Sequence, residues 1–281
     1  MNEKLPKISQ SINRSYAEVV QEVTSIATYY PNMIKVYVPF SPIKKIPEGW
    51  ELSHDSVKYS SIHTEPTVSK ETSLERSIRR SQRLVHDYIL CNSFDLFATI
   101  TIASDRHNIQ LSKQKLNTWL KNQRDRNGRF SYVIVPEYHK DRALHFHGVL
   151  NNYTGKLKQS RSSKTGRILT SNGKPVYELS EYRSGFTKVQ YIGKTSEDRA
   201  RVGGYIRKYI TKDMISVFGK KRYWTSQGLK KPIQEDNPAW INDFAPDSVY
   251  ENEYGKIYTY TNLWSKAIPE EVISKTRLRR Q

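Results

Sequence analysis

The most regular alternation of hydrophobic and polar residues lies between Phe94 and Ile102. Because the side chains of a β-strand point alternately to the two faces of a sheet, this period of two predicts a strand. A run of β-branched residues at Tyr132–Val135 predicts a buried strand, and Ala143–Leu150 predicts the strand that returns after a polar turn. A fourth strand is predicted at Phe186–Ile192.

Three segments have the composition and end signals of helices, namely Ser69–Tyr88, Ser112–Arg126 and Ser196–Met214. Up to Leu150 the order of elements is helix, strand, helix, strand, strand. This order predicts an α+β fold in which helices lie on one face of a central sheet.

The remaining chain divides around this region. Residues 69–232 are predicted to form the main domain, residues 1–68 an N-terminal extension of unknown role, and residues 233–281 a C-terminal extension. Within the first extension, Ser15–Tyr30 is compatible with a helix and Ile34–Phe40 with a strand.

The charge of the chain indicates its class of partner. A formal net charge of +18 predicts binding to a polyanion, either nucleic acid or an anionic membrane surface. No apolar run approaches the ~18–20 residues of a membrane span, and the first residues lack the apolar core of a signal peptide. The single cysteine, Cys91, excludes an intramolecular disulfide and a multi-cysteine zinc site. We therefore expect a cytosolic protein that binds nucleic acid.

Basic residues concentrate in two places. Asn151–Tyr177 is rich in Ser, Thr, Gly and Asn, and it predicts a long exposed loop or hairpin that contacts DNA, with a disordered, solvated insertion as the alternative. Its candidate DNA-binding residues are Lys156, Lys158, Arg161, Lys164 and Arg167. Arg79 and Arg80 on the first predicted helix are candidates for phosphate contacts, or members of a solvated face.

Two histidines on the returning strand are candidate metal ligands. His145 and His147 are two residues apart and so share one face of the strand, and Glu137 at the end of the preceding strand can reach the same place. Two neutral imidazoles and a carboxylate suit Mg²⁺ or Mn²⁺. The alternative is a pair of half-buried strand histidines without a metal.

The last predicted helix carries two tyrosines and two lysines at a spacing of four. Tyr205 and Tyr209 share one face of that helix, and Lys208 and Lys212 share the adjoining face. A phenol with a pKa near ~10 is a poor nucleophile unless a metal or a neighbouring cation assists it.

The strand Phe97–Thr101, the His145-Phe-His147 motif with Glu137, and the double Tyr-x-x-Lys motif occur in the order found in one family. Together they resemble the HUH endonuclease superfamily, specifically the rolling-circle replication initiators (Rep proteins) of phages, plasmids and viruses. The resemblance covers roughly residues 94–230. It implies an antiparallel sheet of ferredoxin- or RRM-like arrangement, a Mg²⁺ or Mn²⁺ ion, and single-stranded DNA at a replication origin as substrate.

The resemblance also implies the roles of the site residues. The tyrosine closest to the family pattern, Tyr209, would attack the scissile phosphate and form a 5′-phosphotyrosine, leaving a free 3′-OH. Tyr205 would be a second nucleophile or a packed aromatic residue. Lys212 and Lys208 would assist the two tyrosines, and His145, His147 and Glu137 would hold the ion.

The chain has no Gly-x-x-x-x-Gly-Lys-[Ser/Thr] motif, so no ATPase or helicase activity is expected. Unwinding would come from a host helicase, from supercoiling or from a template that is already single-stranded, and a host polymerase would extend the 3′-OH in the bacterial cytoplasm. The alternatives are a relaxase or transposase of the same superfamily, and a non-catalytic origin-binding or repressor protein.

Overall fold

The computed structural model of the chain describes residues 21–45, 73–139, 141–211, 222–261, 263 and 269–276. The chain divides into two compact units. The smaller unit lies within Met1–Thr28, Ile34–Lys70 and Gln234–Thr261, and the larger unit lies within Tyr29–Met33, Glu71–Ile233 and Asn262–Gln281.

The described residues contain sixteen strands and four α-helices. The strands are β1 (Gln21–Val23), β2 (Ile26–Tyr30), β3 (Met33–Pro39), β4 (Ile43–Lys45), β5 (Leu96–Ile102), β6 (Ser131–Tyr138), β7 (Leu144–Asn151), β8 (Leu157–Gln159), β9 (Thr170–Ser171), β10 (Lys174–Pro175), β11 (Tyr177–Leu179), β12 (Gly185–Tyr191), β13 (Trp224–Thr225), β14 (Ile233–Asp236), β15 (Ser248–Asn252) and β16 (Gly255–Tyr260). The helices are α1 (Ser73–Cys91), α2 (Ile109–Asn127), α3 (Ser196–Arg207) and α4 (Glu270–Ser274), and Ala239–Asn242 is a 3-10 helix.

The larger unit is built on a seven-stranded sheet with the order β13-β6-β7-β5-β12-β11-β8. Its neighbouring strands are all antiparallel. The predicted α+β class with a central antiparallel sheet and flanking helices is therefore confirmed.

Helices cover both faces of this sheet, so the prediction of helices on one face is wrong. On one face, Leu116, Trp119 and Leu120 of α2 pack with the even-numbered residues of β5. On the other face, α1 and the end of α3 pack with Val133, Val135 and other residues of β6 and β7. The strands β5, β6 and β7 are central and bury both of their faces, so each face needs its own helical cover.

The smaller unit contains most of a second sheet, with the order β14-β2-β3-β16-β15, and a two-stranded sheet of β1 and β4. The expectation of a helix at Ser15–Tyr30 is wrong for its described part, because β1 and β2 occupy Gln21–Val23 and Ile26–Tyr30. The β-favouring Val, Ile, Thr and Tyr of this stretch are stabilised by pairing with strands that are distant in sequence. Strand β3, from the predicted N-terminal extension, pairs with β16 from the predicted C-terminal extension.

The first two predicted helices form, and α3 is shorter than predicted. Asn108 caps α2 by accepting a hydrogen bond from the Leu111 backbone at 3.1 Å, and Thr195 caps α3 in the same way through Asp198. Helix α3 ends at Arg207, and the next backbone amides bond three residues back instead of four. This tighter turn ends the helix before Tyr209 and corrects the predicted end at Met214.

The basic segment after β7 is an ordered hairpin array. Strand β8 pairs with β11, and β9 pairs with β10 across a two-residue turn at Asn172 and Gly173. Both turn residues have positive φ, as a type I′ turn requires. The hairpin form that the composition predicted is therefore present.

Candidate active site

Strands β5, β7 and β6 place the predicted site residues in rows across one face of the sheet, which we call the site face. In one row Thr101 lies opposite His145, and His145 lies opposite Glu137. In the next row Thr99 lies opposite His147. Directly opposed residues of antiparallel strands point to the same face, so the three predicted metal ligands share it.

His147 is buried, and both of its ring nitrogens have partners. Its Nε2 lies 2.5 Å from Glu137 Oε2, and its Nδ1 lies 3.2 Å from Thr99 Oγ1. Because a carboxylate only accepts hydrogen bonds, Nε2–H donates to Glu137 and the Thr99 hydroxyl donates to Nδ1. Burial lowers the pKa of His147, opposed by Glu137. The neutral imidazole, the form that binds metal ions, is therefore favoured.

His145 occupies a more open position beside this pair. Its Nδ1 lies 3.5 Å from Thr101 Oγ1, and its ring stacks on the ring of His139 with centroids 5.0 Å apart. Burial, followed by the charge of His139, lowers the pKa of His145. His139 itself lies 3.2 Å from Asp141 through Nδ1.

The donor set of His145, His147 and Glu137 fits a divalent ion that accepts both imidazole and carboxylate ligands. Glu137 and His147 already meet in the structure. In the part of the chain that the structure describes, no group of three or more His, Cys, Asp or Glu side chains is gathered closely enough to hold an ion. The chemistry of the residues therefore fits, and His145 is the member that stands apart, stacked on His139.

Two tyrosine rings complete the site. The ring of Tyr209 lies flat on the ring of His147, with centroids 4.0 Å apart and planes inclined by 5°. The ring of Tyr205 meets Tyr209 edge-on at 5.2 Å and Phe97 at 5.5 Å. Burial, a hydrogen bond with Tyr205 and the charge of Glu137 raise the pKa of Tyr209. Its hydroxyl is therefore protonated at neutral pH and needs a positive charge to become a nucleophile.

The segment that carries Tyr209 is held from both sides. Ile206 and Ile210 are buried against the strands of the site face. The side-chain amide of Gln82 on α1 donates a 2.9 Å hydrogen bond to the Ile210 carbonyl. Gly203 lies where an added Cβ would be 3.0 Å from His86 of α1, so its missing side chain permits close packing of α3 on α1.

The two predicted lysines differ in what can be said of them. Lys208 is the exposed C-cap residue of α3. Lys212 lies outside the described residues.

The predicted DNA-binding residues are exposed, and the hairpin that carries most of them lies on the site face. Lys156, Lys158, Arg161, Lys164, Arg167, Arg79 and Arg80 are all exposed. Ser171 of the hairpin accepts hydrogen bonds from Lys188 through Oγ at 3.1 Å and from Gln190 through its carbonyl at 3.0 Å. Both donors point to the site face, because they lie opposite Thr99 and Phe97 in the register of β12 and β5.

Sequence reasoning missed two residues that shape the site. Thr99 could have been found from the strand alternation, because it belongs to the same set of positions as Thr101. Gln82 carries no such signal, because its contact with the Ile210 carbonyl joins residues 128 positions apart.

Residues 95–214 match a family model of replication-associated proteins, the ORF2 family. The match covers less than half of the chain and contains Glu137, both site histidines and both site tyrosines. It confirms the resemblance to rolling-circle replication initiators. No curated protein and no solved structure matches the chain. No helix in the described ranges is long and apolar enough to cross a membrane.

Proposed function

We propose that this chain, with its replication-associated region at residues 95–214, is a rolling-circle replication initiator that nicks single-stranded DNA through a tyrosine. The observation that carries the proposal is the stacking of the Tyr209 ring on His147, which is itself paired with Glu137. A candidate nucleophile and two candidate metal ligands thus meet on one face of the sheet. A binding protein without catalysis would have no use for this combination.

In the proposed reaction the Tyr209 oxygen attacks the scissile phosphorus. The new bond is a 5′-phosphotyrosine, and the bond from phosphorus to the 3′ oxygen breaks, so the leaving oxygen takes a proton from water and becomes a 3′-OH. The hydrogen bond with Tyr205 raises the pKa of Tyr209, so Tyr209 is the donor in it. Tyr205 is 45% exposed and offers this proton a way to solvent.

His145, His147 and Glu137 would hold a Mg²⁺ or Mn²⁺ ion, which supplies positive charge for the phosphate oxygens and for the tyrosine oxygen. Thr99 orients the His147 ring through Nδ1, and Glu137 engages its Nε2. The stacked Tyr209 ring in turn excludes water from one face of that imidazole. These contacts of the chain set the position of the ligands before DNA arrives.

The partners follow from the same proposal. The substrate is single-stranded DNA at a replication origin, and the basic hairpin borders the face on which the reaction occurs. A host helicase and a host polymerase in the bacterial cytoplasm would act before and after the nick. The same contacts would serve a relaxase or transposase of the superfamily, and these differ from an initiator in the DNA they cut.

The test uses oligonucleotides from the protein's own replicon, labelled at either the 5′ or the 3′ end and incubated with Mn²⁺ or with a chelator. We expect a denaturant-resistant adduct with the 3′-labelled fragment, formed only with metal and lost in Tyr209→Phe. Tyr205→Phe is the matched control and should keep the first cleavage. His147→Ala should abolish nicking and leave salt-sensitive DNA binding largely intact. Metal-independent binding without an adduct in the wild type would favour a non-catalytic origin-binding protein.

A further inference from the structure

Strand β12 extends the site face by one strand beyond β5. In its register Phe186 lies opposite Thr101, Lys188 opposite Thr99, and Gln190 opposite Phe97. Because opposed residues point to the same face, these three β12 side chains continue the rows that contain His145 and His147. The row of Phe186 runs through Thr101 to His145.

Phe186 is the most exposed large hydrophobic side chain that the structure describes, at 73%. An exposed phenylalanine in the interior of a sheet strand is costly to leave in water, and it is available to a partner that presents a flat apolar surface. Lys188, two residues further along the same face, adds a positive charge beside it.

The surroundings of Phe186 identify the chemistry of that partner. The basic hairpin is bonded to Lys188 and Gln190 through Ser171. Its Lys174 lies near the start of α3, because the charge of Lys174 contributes to the lowered pKa of Asp198. An aromatic platform bordered by cations is the combination that binds unpaired bases and their phosphates.

The spacing also suits a substrate that reaches the site residues. Neighbouring strands are about 4.8 Å apart, so Phe186 stands about 10 Å from His145, which is two strands away. A single strand that crosses the sheet can therefore engage Phe186 a few nucleotides from the phosphate at Tyr209.

We propose that Phe186 stacks on an unpaired base of the single-stranded DNA and so positions the strand at the candidate active site. This inference rests on the proposed function and adds to it a positioning residue and a base-binding subsite. Tyr191 is the matched control, because it is an exposed aromatic residue of the same strand, at 53%, whose side chain points to the opposite face.

The test is a fluorescence anisotropy titration of the full chain with a labelled deoxythymidine homopolymer in the presence of chelator, so that no cleavage intervenes. Stacking tolerates any base, so the origin sequence is not needed. Phe186→Ala should weaken binding about tenfold, within a range of roughly 5- to 100-fold, whereas Phe186→Trp should retain it. Tyr191→Ala should bind within twofold of the wild type.

Two further measurements separate stacking from a loss of structure or charge. On a strand of the same length that carries abasic sites throughout, Phe186→Ala and the wild type should bind equally, since no base is left to stack. The slope of log affinity against log salt should be unchanged in Phe186→Ala, because no ionic contact is removed, whereas Lys188→Ala should lower its magnitude by about one.

An equal loss on the normal and abasic strands would overturn the stacking role, as would unchanged binding by Phe186→Ala. The adduct assay reports the proposed function separately. A wild type that forms no adduct but shows the base-dependent loss in Phe186→Ala would refute the endonuclease and keep the subsite. A normal adduct with no base-dependent loss would do the reverse.

Discussion

Gly203 and Gly204 are adjacent residues of α3 that should respond in opposite ways to the same substitution. A Cβ at Gly204 would meet no atom within 4 Å, outside its own helix backbone and chain neighbours. A Cβ at Gly203 would lie 3.0 Å from His86 Cδ2 and 3.4 Å from Ile89 Cγ2, both on α1. The pair therefore isolates the packing of α3 against α1.

The magnitude follows from two contributions. Replacing glycine by alanine inside a helix gains about 0.8–1.0 kcal/mol of helix propensity, and we expect Gly204→Ala to increase the free energy of unfolding by about this amount. Overpacking costs about 1–3 kcal/mol, so Gly203→Ala should range from neutral to destabilised by about 2 kcal/mol. Because the propensity gain is common to both variants, their difference of about 1–3 kcal/mol measures the packing cost alone.

Urea unfolding of the two variants and the wild type measures this difference, with unchanged m-values showing that the compactness of the two states is preserved. In thermal unfolding, each kcal/mol corresponds to about 2–4 °C for a unit of this size. Gly203→Leu and Gly204→Leu should widen the gap. Equal stabilisation by both alanine variants would refute the close approach of α3 to α1 and, with it, the support that this contact gives to the segment carrying Tyr209.

Gln82→Leu removes the amide that donates to the Ile210 carbonyl at 2.9 Å, so adduct formation should slow by about tenfold through ~1 kcal/mol of lost positioning, with DNA affinity unchanged in an anisotropy titration. Thr99→Val removes the hydroxyl that orients His147, and it should raise the Mn²⁺ concentration needed for half-maximal adduct formation by about 10- to 100-fold. Thr101→Val, whose contact with His145 is longer at 3.5 Å, should shift it less, and an equal shift would contradict the orienting role of Thr99. Tyr30→Phe loses a 2.7 Å hydrogen bond to the buried Asp87 carboxylate and should lower the free energy of unfolding by about 1–3 kcal/mol, whereas the exposed Tyr250→Phe should not change it.

Local patterns predicted the elements that carry the site. Strands β5, β6, β7 and β12 lie where alternation and β-branched runs placed them, because burial of one or both faces selects such residues directly. The order of the motifs was likewise legible, and it led to the family that residues 95–214 match. Prediction failed where distant contacts outweighed local preference. The stretch before Tyr30 is drawn into strands, and α3 ends at Arg207 because Ile206 and Ile210 are buried in a tighter turn.

The sequence by itself determined the chemistry of this protein: its polyanionic partner, its histidines on one strand face, and its tyrosines one helical turn apart. Tertiary structure alone decided which of these groups meet. The pairing of Glu137 with His147, the stacking of Tyr209 on that imidazole, and the extension of the site face to Phe186 depend on strand register and on helix docking. Register and docking are set by the burial of residues far apart in the chain, and no local window of sequence contains that information.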